Sequence, residues 1–190
     1  MLEELFRIDE ELFLHLNGMG TPLWDGFWLY ISRTLSLITI PLLIMVIFLS
    51  YRFFGWRKTA LIIGLAILLL GCTELLSILF KNNIARLRPC YHYEISKVMR
   101  VVKSYCGGQY GYFSAHAANS CAFACFFGIL LGKKTKSFVL FIGLWALLVS
   151  YSRIYIGVHF PLDVITGIFF GIGFGYVFGN LLPKLDKYIE

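Results

Sequence analysis

Charged residues are scarce in this sequence: Asp, Glu, Lys and Arg make up only 15% of its 190 residues, whereas 58% are hydrophobic. A soluble globular domain carries more charge than this. The mean hydropathy is +0.75, and the apolar residues form long runs, which is typical of helices that cross a membrane. The length fits one domain, so we expect a single domain embedded in a membrane.

Two other sequence signals are absent. No spacing of Cys and His residues is typical of a zinc site, and we expect no metal ion or other cofactor. The N-terminus lacks the basic start and the cleavage site of a signal peptide, so we expect the whole chain to be retained. The net charge of +6 comes from short basic stretches between apolar runs. This pattern favours membrane anchoring or a phosphate site over nucleic-acid binding.

The first 33 residues predict an interfacial segment. Residues 5–16 combine apolar side chains with an acidic run that begins at Asp9, a composition typical of an amphipathic helix lying on the membrane. The helix is expected to end at Asn17-Gly18.

Five apolar runs predict an all-α, polytopic membrane helical bundle with about five transmembrane helices. Each run can cross a hydrocarbon core of about 30 Å, and Pro41 is expected to kink the first. The predicted spans are residues 34–50, 59–80, 114–132, 137–156 and 161–182. The membrane domain therefore covers residues 34–182, and residues 183–190 form a short cytoplasmic tail.

The basic loops predict the orientation. In a five-span arrangement the loops at 51–58 and 133–136 and the tail share one side, which the positive-inside rule makes cytoplasmic. The 81–112 loop and the 157–160 turn then lie outside. The 81–112 loop is also basic, which weakens this orientation unless its charges have a function. Whether Cys90 and Cys106 in this loop pair stays open, since pairing needs an oxidising compartment.

A glycine repeat marks the last predicted span. The spacing of four residues places these glycines on one helix face and permits close approach of another backbone. We expect packing within the chain, and a homodimer face is the alternative. The residues are Gly167, Gly171, Gly175 and Gly179.

A cluster in residues 152–163 places Arg153 and Asp163 beside apolar runs, where an unpaired charge is costly. Pro161 suits the first turn of a helix, and His159 lies just before it. The four-residue spacing lets Asp163 bond one imidazole nitrogen of His159 and raise the basicity of the other. This predicts an activated nucleophile or base, although a structural His–Asp pair remains the alternative.

Two further clusters lie at span ends on the same predicted side. Ser114 is a candidate N-cap with His116 in the first turn, and a helix N-terminus favours phosphate. Lys81 and Arg88 offer cations at the membrane edge. Taken separately, these residues also fit a helix cap, an interfacial histidine and cations that reach lipid head groups. Taken together, the three clusters form a set suited to phosphoryl transfer without a metal.

These residues resemble the type 2 phosphatidic acid phosphatase superfamily, which includes undecaprenyl-pyrophosphate phosphatases and vanadium haloperoxidases. The motifs of that family are K-x6-RP, PSGH and SR-x5-H-x3-D. Residues 81–89 match the first motif and residues 152–163 match the third. In the second motif, Phe113 and Ala115 replace the Pro and the Gly. The resemblance covers about residues 34–182.

The resemblance implies a role for each matching residue. His159 would form a phosphohistidine intermediate, Asp163 would orient it, and His116 would be the general acid for the leaving group. The implied phosphate-binding set is Lys81, Arg88, Ser114, Arg153 and a backbone N–H near Ala115.

Six weaker candidates lie nearby. Four could contact the head group or the leaving group, although a solvated loop is the expected role for each: Arg86, His92, Tyr93 and Tyr112. Asn119 and Ser120 could hold the His116 ring, or bond a neighbouring helix.

The leading hypothesis is a lipid phosphatase of a bacterial inner membrane with an extracytoplasmic active site. Undecaprenyl pyrophosphate is the favoured substrate, by analogy with compact members of the family. Phosphatidylglycerol phosphate, phosphatidic acid and lipid A phosphate are alternatives, as is phosphotransfer to another lipid or sugar. The non-enzymatic alternative is a small transporter or lipid-binding membrane protein.

Overall fold

The computed structural model describes residues 2–34, 36–103 and 105–186. This part of the chain is helical, without strands beyond one isolated bridge between Leu87 and Tyr110. The expectation of an all-α membrane bundle is therefore confirmed. The helices are α1 (Leu2–Gly18), α2 (Pro22–Ile31), α3 (Thr39–Ile84), α4 (Ile95–Val98), α5 (Ala115–Leu131), α6 (Lys136–Tyr155), α7 (Pro161–Gly179) and α8 (Leu182–Asp186), with a 3-10 turn at Pro89–Tyr91.

Among the described residues, three helices are long and apolar enough to cross a membrane, namely α3, α6 and α7, and α5 is a shorter apolar helix of 17 residues. Helix α3 contains residues 39–50 of the first predicted span and all of the second, and it is interrupted at Gly55, where φ is 75°. The expected kink at Pro41 is wrong, because this proline lies in the first turn of α3, where a backbone N–H has no helical partner to lose. The total of five spans stays a prediction.

Helix α5 packs against α7, α6 and α3. The α7 glycines face α5, so that the two backbones approach closely. A Cβ on Gly167 would lie 2.6 Å from the Ser114 carbonyl oxygen, and one on Gly175 would lie 2.6 Å from the Ala122 carbonyl oxygen. The repeat therefore packs within the chain. A homodimer would need a surface other than the one these glycines form, and a dimer stays a prediction.

The N-terminal segment packs on the ends of α6 and α7. Phe13 of α1 is fully buried and meets the Phe160 ring edge-on at 5.2 Å. The side-chain amide of Asn17 donates to the Tyr155 carbonyl (2.9 Å). Trp28 of α2 stacks on the Tyr155 ring. The predicted helix at 5–16 is thus confirmed, and it covers the turn between α6 and α7 in addition to any contact with the membrane.

The predicted tail at 183–190 begins inside α8, and its last four residues lie outside the described part of the chain.

The close packing of α5 and α7 predicts that Gly175→Ala lowers the stability of the protein. The new methyl group would meet the Ala122 carbonyl oxygen and the Cβ of Cys125 at 2.6 and 2.7 Å, and such overpacking costs about 1–3 kcal/mol. Thermal unfolding in detergent would measure the loss. Gly173→Ala is the matched control, since its Cβ meets nothing within 4 Å. Equal unfolding temperatures for the two variants would contradict the close contact.

Candidate active site

The turn between α6 and α7 places His159. Helix α6 ends at Tyr155, and Gly157 has a φ of 81°, a left-handed conformation that favours glycine. The backbone N–H groups of Val158 and His159 then donate to the Arg153 carbonyl at 3.1 and 3.2 Å. This tight turn holds the imidazole in the interior, where the residue is only 2% exposed.

Asp163 fixes the orientation of the imidazole. The Asp163 carboxyl group is fully buried, and its Oδ2 lies 3.3 Å from His159 Nδ1. The same oxygen accepts from the Phe160 backbone N–H at 3.1 Å, which closes the first turn of α7. A proton shared on the Nδ1 side leaves the Nε2 lone pair free. The predicted His–Asp pair is therefore present.

The surroundings of His159 keep its imidazole neutral. Burial lowers the pKa of His159 well below its ordinary value, and the positive charges of Arg88, Arg153 and Lys81 act in the same direction. A neutral imidazole can act as a nucleophile or as a base at neutral pH.

A cavity of about 580 Å³ opens beside His159. Five cationic side chains line it, namely Arg33, Lys81, Arg88, Lys103 and Arg153, together with His116. Further along the same helices the lining becomes apolar, with Leu70 on α3, Phe123 on α5 and Trp145 on α6. The cavity thus joins a cationic end, suited to a phosphate, to an apolar end, suited to a lipid chain.

Two arginines are held in place by neighbouring segments. Arg88 donates from Nε to the Tyr110 carbonyl (3.1 Å) and from Nη1 to the Cys106 carbonyl (2.8 Å). Arg153 donates from Nη1 to the Ser32 hydroxyl. Its Nε is buried and has no hydrogen-bond partner among the described residues. A buried donor without a partner at a cationic cavity is suited to an anionic oxygen.

The second motif contributes the start of α5. Ala115 and His116 line the cavity, and His116 Nε2 lies 3.4 Å from the Thr34 hydroxyl. Ser114 is fully buried and is not among the lining residues, since its hydroxyl caps α5 by accepting from Ala117 N. The Ser114 side chain therefore lies behind the cavity, whereas the other predicted phosphate-binding residues line it. Phe113 fits as a core residue, with its ring stacked on that of Phe170 at 5.1 Å.

Arg86 joins two buried carboxyl groups, an arrangement that sequence reasoning missed. Its Nη1 donates to Asp163 Oδ1 at 2.9 Å, and its Nη2 donates to Asp9 Oδ2 at 2.6 Å. The other oxygen of Asp9 accepts from the Leu162 backbone N–H at 2.8 Å. The expected solvated role of Arg86 is therefore wrong, because its side chain is only 11% exposed. Helix α1 becomes part of the support for Asp163.

Three of the remaining weak candidates lie away from the cavity lining, whereas Ser120 and Asn119 belong to it. Tyr93 is exposed, Tyr112 bonds the Thr166 hydroxyl at 2.9 Å, and His92 lies 3.5 Å from a Glu10 oxygen. Ser120 lines the cavity but donates to the Ala117 carbonyl at 3.2 Å.

Asn119 also lines the cavity, and it differs from Ser120 in that it bonds α3. Its Oδ1 accepts from the Thr73 hydroxyl and its Nδ2 donates to Glu74 Oε2. The expected hydrogen bond between helices is therefore confirmed at this residue.

The outer loop is closed by covalent and backbone contacts. Cys90 and Cys106 form a disulfide, and the backbone N–H of Gly111 donates to the Arg86 carbonyl at 2.9 Å. These contacts hold the segment that carries both Arg86 and Arg88. Within the described residues, no group of three or more His, Cys, Asp or Glu side chains is placed to hold a metal ion.

Because Arg86 bridges two buried carboxyl groups, its replacement is predicted to lower the free energy of unfolding much more than replacement of an exposed arginine. Arg86→Met would leave the buried Asp9 and Asp163 carboxyl groups without their cation, a change that typically costs about 3–5 kcal/mol. Arg7→Met is the control, because Arg7 pairs with Glu4 and Glu11 on the exposed face of α1, where such pairs contribute about 0–1 kcal/mol. The unfolding temperature and the rate of phosphate release should both fall for Arg86→Met and stay unchanged for Arg7→Met. Similar values for both variants would refute the bridging role.

Comparison with known proteins identifies the same family as the three sequence motifs. The family model of the PAP2 superfamily matches residues 59–187. Over 191 aligned positions the chain is 37% identical to the lipid A 4′-phosphatase of Porphyromonas gingivalis, covering 98% of this chain and 76% of that protein. It is 32% identical to the lipid A 4′-phosphatase of Bacteroides thetaiotaomicron, covering all of this chain and 84% of that protein.

Two crystal structures are similar in fold. Aquifex aeolicus LpxE superposes with a TM-score of 0.67 at 26% identity, covering 88% of this chain and 92% of that one. A transmembrane PAP2-type phosphatidylglycerolphosphate phosphatase from Bacillus subtilis gives a TM-score of 0.69 at 20% identity, covering 98% and 88%, and shows the shared fold alone. From the family match over most of its length and from these relatives, the chain belongs to the PAP2 superfamily and is a membrane lipid phosphatase.

Proposed function

We propose that this enzyme removes the 4′-phosphate of lipid A. The observation that carries the proposal is 37% identity, over almost the whole chain, to a protein named lipid A 4′-phosphatase. The cavity supports it, since a cationic end beside His159 continues into an apolar end that would take acyl chains. The preference for undecaprenyl pyrophosphate rests on analogy with compact members of the family and has no comparable support. Undecaprenyl pyrophosphate therefore serves as a competing substrate in the test.

The proposed first step is attack of His159 Nε2 on the phosphorus. A phosphorus–nitrogen bond forms while the bond from phosphorus to the lipid oxygen breaks. His116 donates a proton to that oxygen, which leaves as an alcohol. Water then attacks the phosphorus while His116 accepts its proton. The phosphorus–nitrogen bond breaks, which regenerates His159 and releases inorganic phosphate.

Three cations from the motifs are proposed to stabilise the transition state. Lys81, Arg88 and Arg153 line the cavity around His159, where they would neutralise the equatorial oxygens of the transferring group. The backbone N–H of Ala115 at the start of α5 would add a donor. Ser114 would act indirectly by capping this helix. This set would neutralise the charge without a metal, so that activity should survive a chelator.

The substrate proposal predicts a ranking in a phosphate-release assay. Purified enzyme in chelator should hydrolyse lipid A faster than phosphatidic acid, phosphatidylglycerol phosphate or undecaprenyl pyrophosphate. His159→Ala should reduce the rate by at least about 10³, since it removes the nucleophile.

The ranking separates the alternatives. If phosphate is released fastest from undecaprenyl pyrophosphate, that lipid replaces lipid A as the proposed substrate. Phosphate transfer to an added alcohol in place of release would indicate a phosphotransferase. Equal background for wild type and His159→Ala on every lipid would refute the phosphohistidine route.

The role of His116 predicts a dependence on the leaving group. His116→Ala should slow hydrolysis of a lipid phosphate by about 10²–10⁴, the usual contribution of a general acid. The loss should be much smaller with a nitrophenyl phosphate, because nitrophenolate leaves without protonation. Rapid-quench measurement of the first turnover would isolate this step. An equal loss with both leaving groups would contradict the assignment.

We further propose a bacterial inner membrane location with the cavity open to the extracytoplasmic side. The disulfide between Cys90 and Cys106 supports this, because disulfides persist in oxidising compartments. The basic residues Lys133 and Lys134 would then lie on the cytoplasmic side. A cysteine introduced at position 134 should resist an impermeant thiol reagent in intact cells and react after permeabilisation. Labelling in intact cells would show that position 134 lies outside, so that the orientation is the opposite of the proposed one.

A further inference from the structure

Of the described residues that line the cavity, Glu74 is the only acidic one, and the proposed reaction does not use it. It lies within the apolar helix α3, where an ionisable side chain is uncommon unless it has a function. No Lys, Arg or His of the described residues forms an ion pair with it. Lys81 attracts it electrostatically without a direct contact, so a direct ion pair does not account for its carboxyl group.

A hydrogen-bond chain holds the Glu74 side chain at the cavity. The Thr73 hydroxyl donates to Asn119 Oδ1, which directs the Asn119 amide group so that Nδ2 donates to Glu74 Oε2 at 3.0 Å. The other carboxyl oxygen, Oε1, has no partner among the described residues. An acceptor held by its neighbours, with one oxygen unused, is suited to a donor on a bound molecule.

The position of Glu74 fixes which part of the lipid it meets. It precedes Lys81 by seven residues on the same helix, which is two turns and about 10.5 Å. The neighbouring lining residues are apolar, with Leu70 one turn further along α3 and Phe123 one turn beyond Asn119 on α5. Glu74 therefore lies where the head group gives way to the acyl chains.

We infer that Glu74 is a specificity-determining residue that accepts a hydrogen bond from a hydroxyl group on the lipid, close to the phosphorylated head group. The inference rests on the proposed binding of the phosphate beside Lys81 and His159. One hydroxyl group at a suitable distance is that of a 3-hydroxyacyl chain esterified to the sugar carbon next to the one that carries the phosphate. This hydroxyl oxygen is eight bonds from the phosphorus, or about 10 Å when extended. That length matches the distance along α3 between Lys81 and Glu74.

Through this hydrogen bond, the enzyme would prefer lipids that carry a free hydroxyl group at this position over lipids that lack it. Glu74 is exposed in the open cavity, and a bound lipid would cover it. A site that bonds a substrate hydroxyl discriminates against the analogue that lacks it, because the covered acceptor is then left unpaired. Phosphatidic acid with unsubstituted acyl chains and polyprenyl phosphates have no hydroxyl at this distance. Glu74 would thus select hydroxylated lipid phosphates within a family whose phosphate site is shared.

The test uses two synthetic phosphate monoesters that differ only in a 3-hydroxyl on the acyl chain beside the phosphate. Wild-type enzyme should hydrolyse the hydroxylated lipid with a kcat/KM about tenfold higher. Glu74→Leu should bring this ratio to about one by losing activity on the hydroxylated lipid alone. Glu74→Gln keeps an acceptor oxygen and should retain more of the preference than Glu74→Leu. Thermal unfolding of each variant reports whether the bond to Asn119 also stabilises the fold.

Two results would overturn the inference: a wild-type ratio near one, or an equal loss on both lipids in Glu74→Leu, which would indicate a structural role only. Failure of the proposed function is separate. If the wild type prefers phosphatidic acid to lipid A, the substrate proposal fails, while the matched pair still decides whether Glu74 recognises a hydroxyl.

Discussion

The Asp163 carboxyl group is the interaction on which the candidate site depends. One oxygen contacts His159 and the Phe160 backbone, and the other accepts from Arg86. A fully buried carboxyl group is costly unless several donors surround it. The donors here come from the turn that precedes α7 and from the segment after α3. Satisfying this one group therefore brings together the elements that carry the first and third motifs.

The contact between α5 and α7 adds the second motif to the same place. Glycines on α7 let the α5 backbone approach closely, and the Ser114 backbone N–H donates to the Asp163 carbonyl oxygen at 3.0 Å. The start of α5, with His116 in its first turn, is thereby fixed relative to His159. Small residues have two effects here, since they provide tight packing between helices and they set the register of the two histidines.

Local patterns in the sequence predicted most of the site. The four-residue spacing of His159 and Asp163, the capping position of Ser114 and the glycine repeat all have meaning within one helix or turn. Membership of the PAP2 superfamily followed from the motifs in combination. The direction of the Ser114 hydroxyl was not predictable in this way, because a cap and a phosphate ligand have the same sequence signal.

The support of Asp163 by α1 was missed because its partners are far apart in sequence. Arg86 is 77 residues from both Asp9 and Asp163, and no local periodicity connects them. One signal was nevertheless present. Asp9, Phe13 and Asn17 are spaced four apart and are all buried, so they share one helix face. An acidic residue on a buried face requires a hydrogen-bond donor from another segment, and the basic outer loop supplies that donor through Arg86.

The cationic end of the cavity opposes folding and favours catalysis for the same reason. Five cations and one acid line the cavity, and Arg153 keeps a buried N–H group without a partner among the described residues. Like charges held together in a poorly hydrated place repel one another. A bound phosphate relieves this repulsion, and the transition state, with charge spread over its equatorial oxygens, benefits from donors that need no rearrangement. The cost is met by the rest of the fold, where the disulfide and the Arg86 ion pairs hold the outer loop against the bundle. The loop contacts that look structural are therefore the ones that hold the cations of the proposed phosphate site in position.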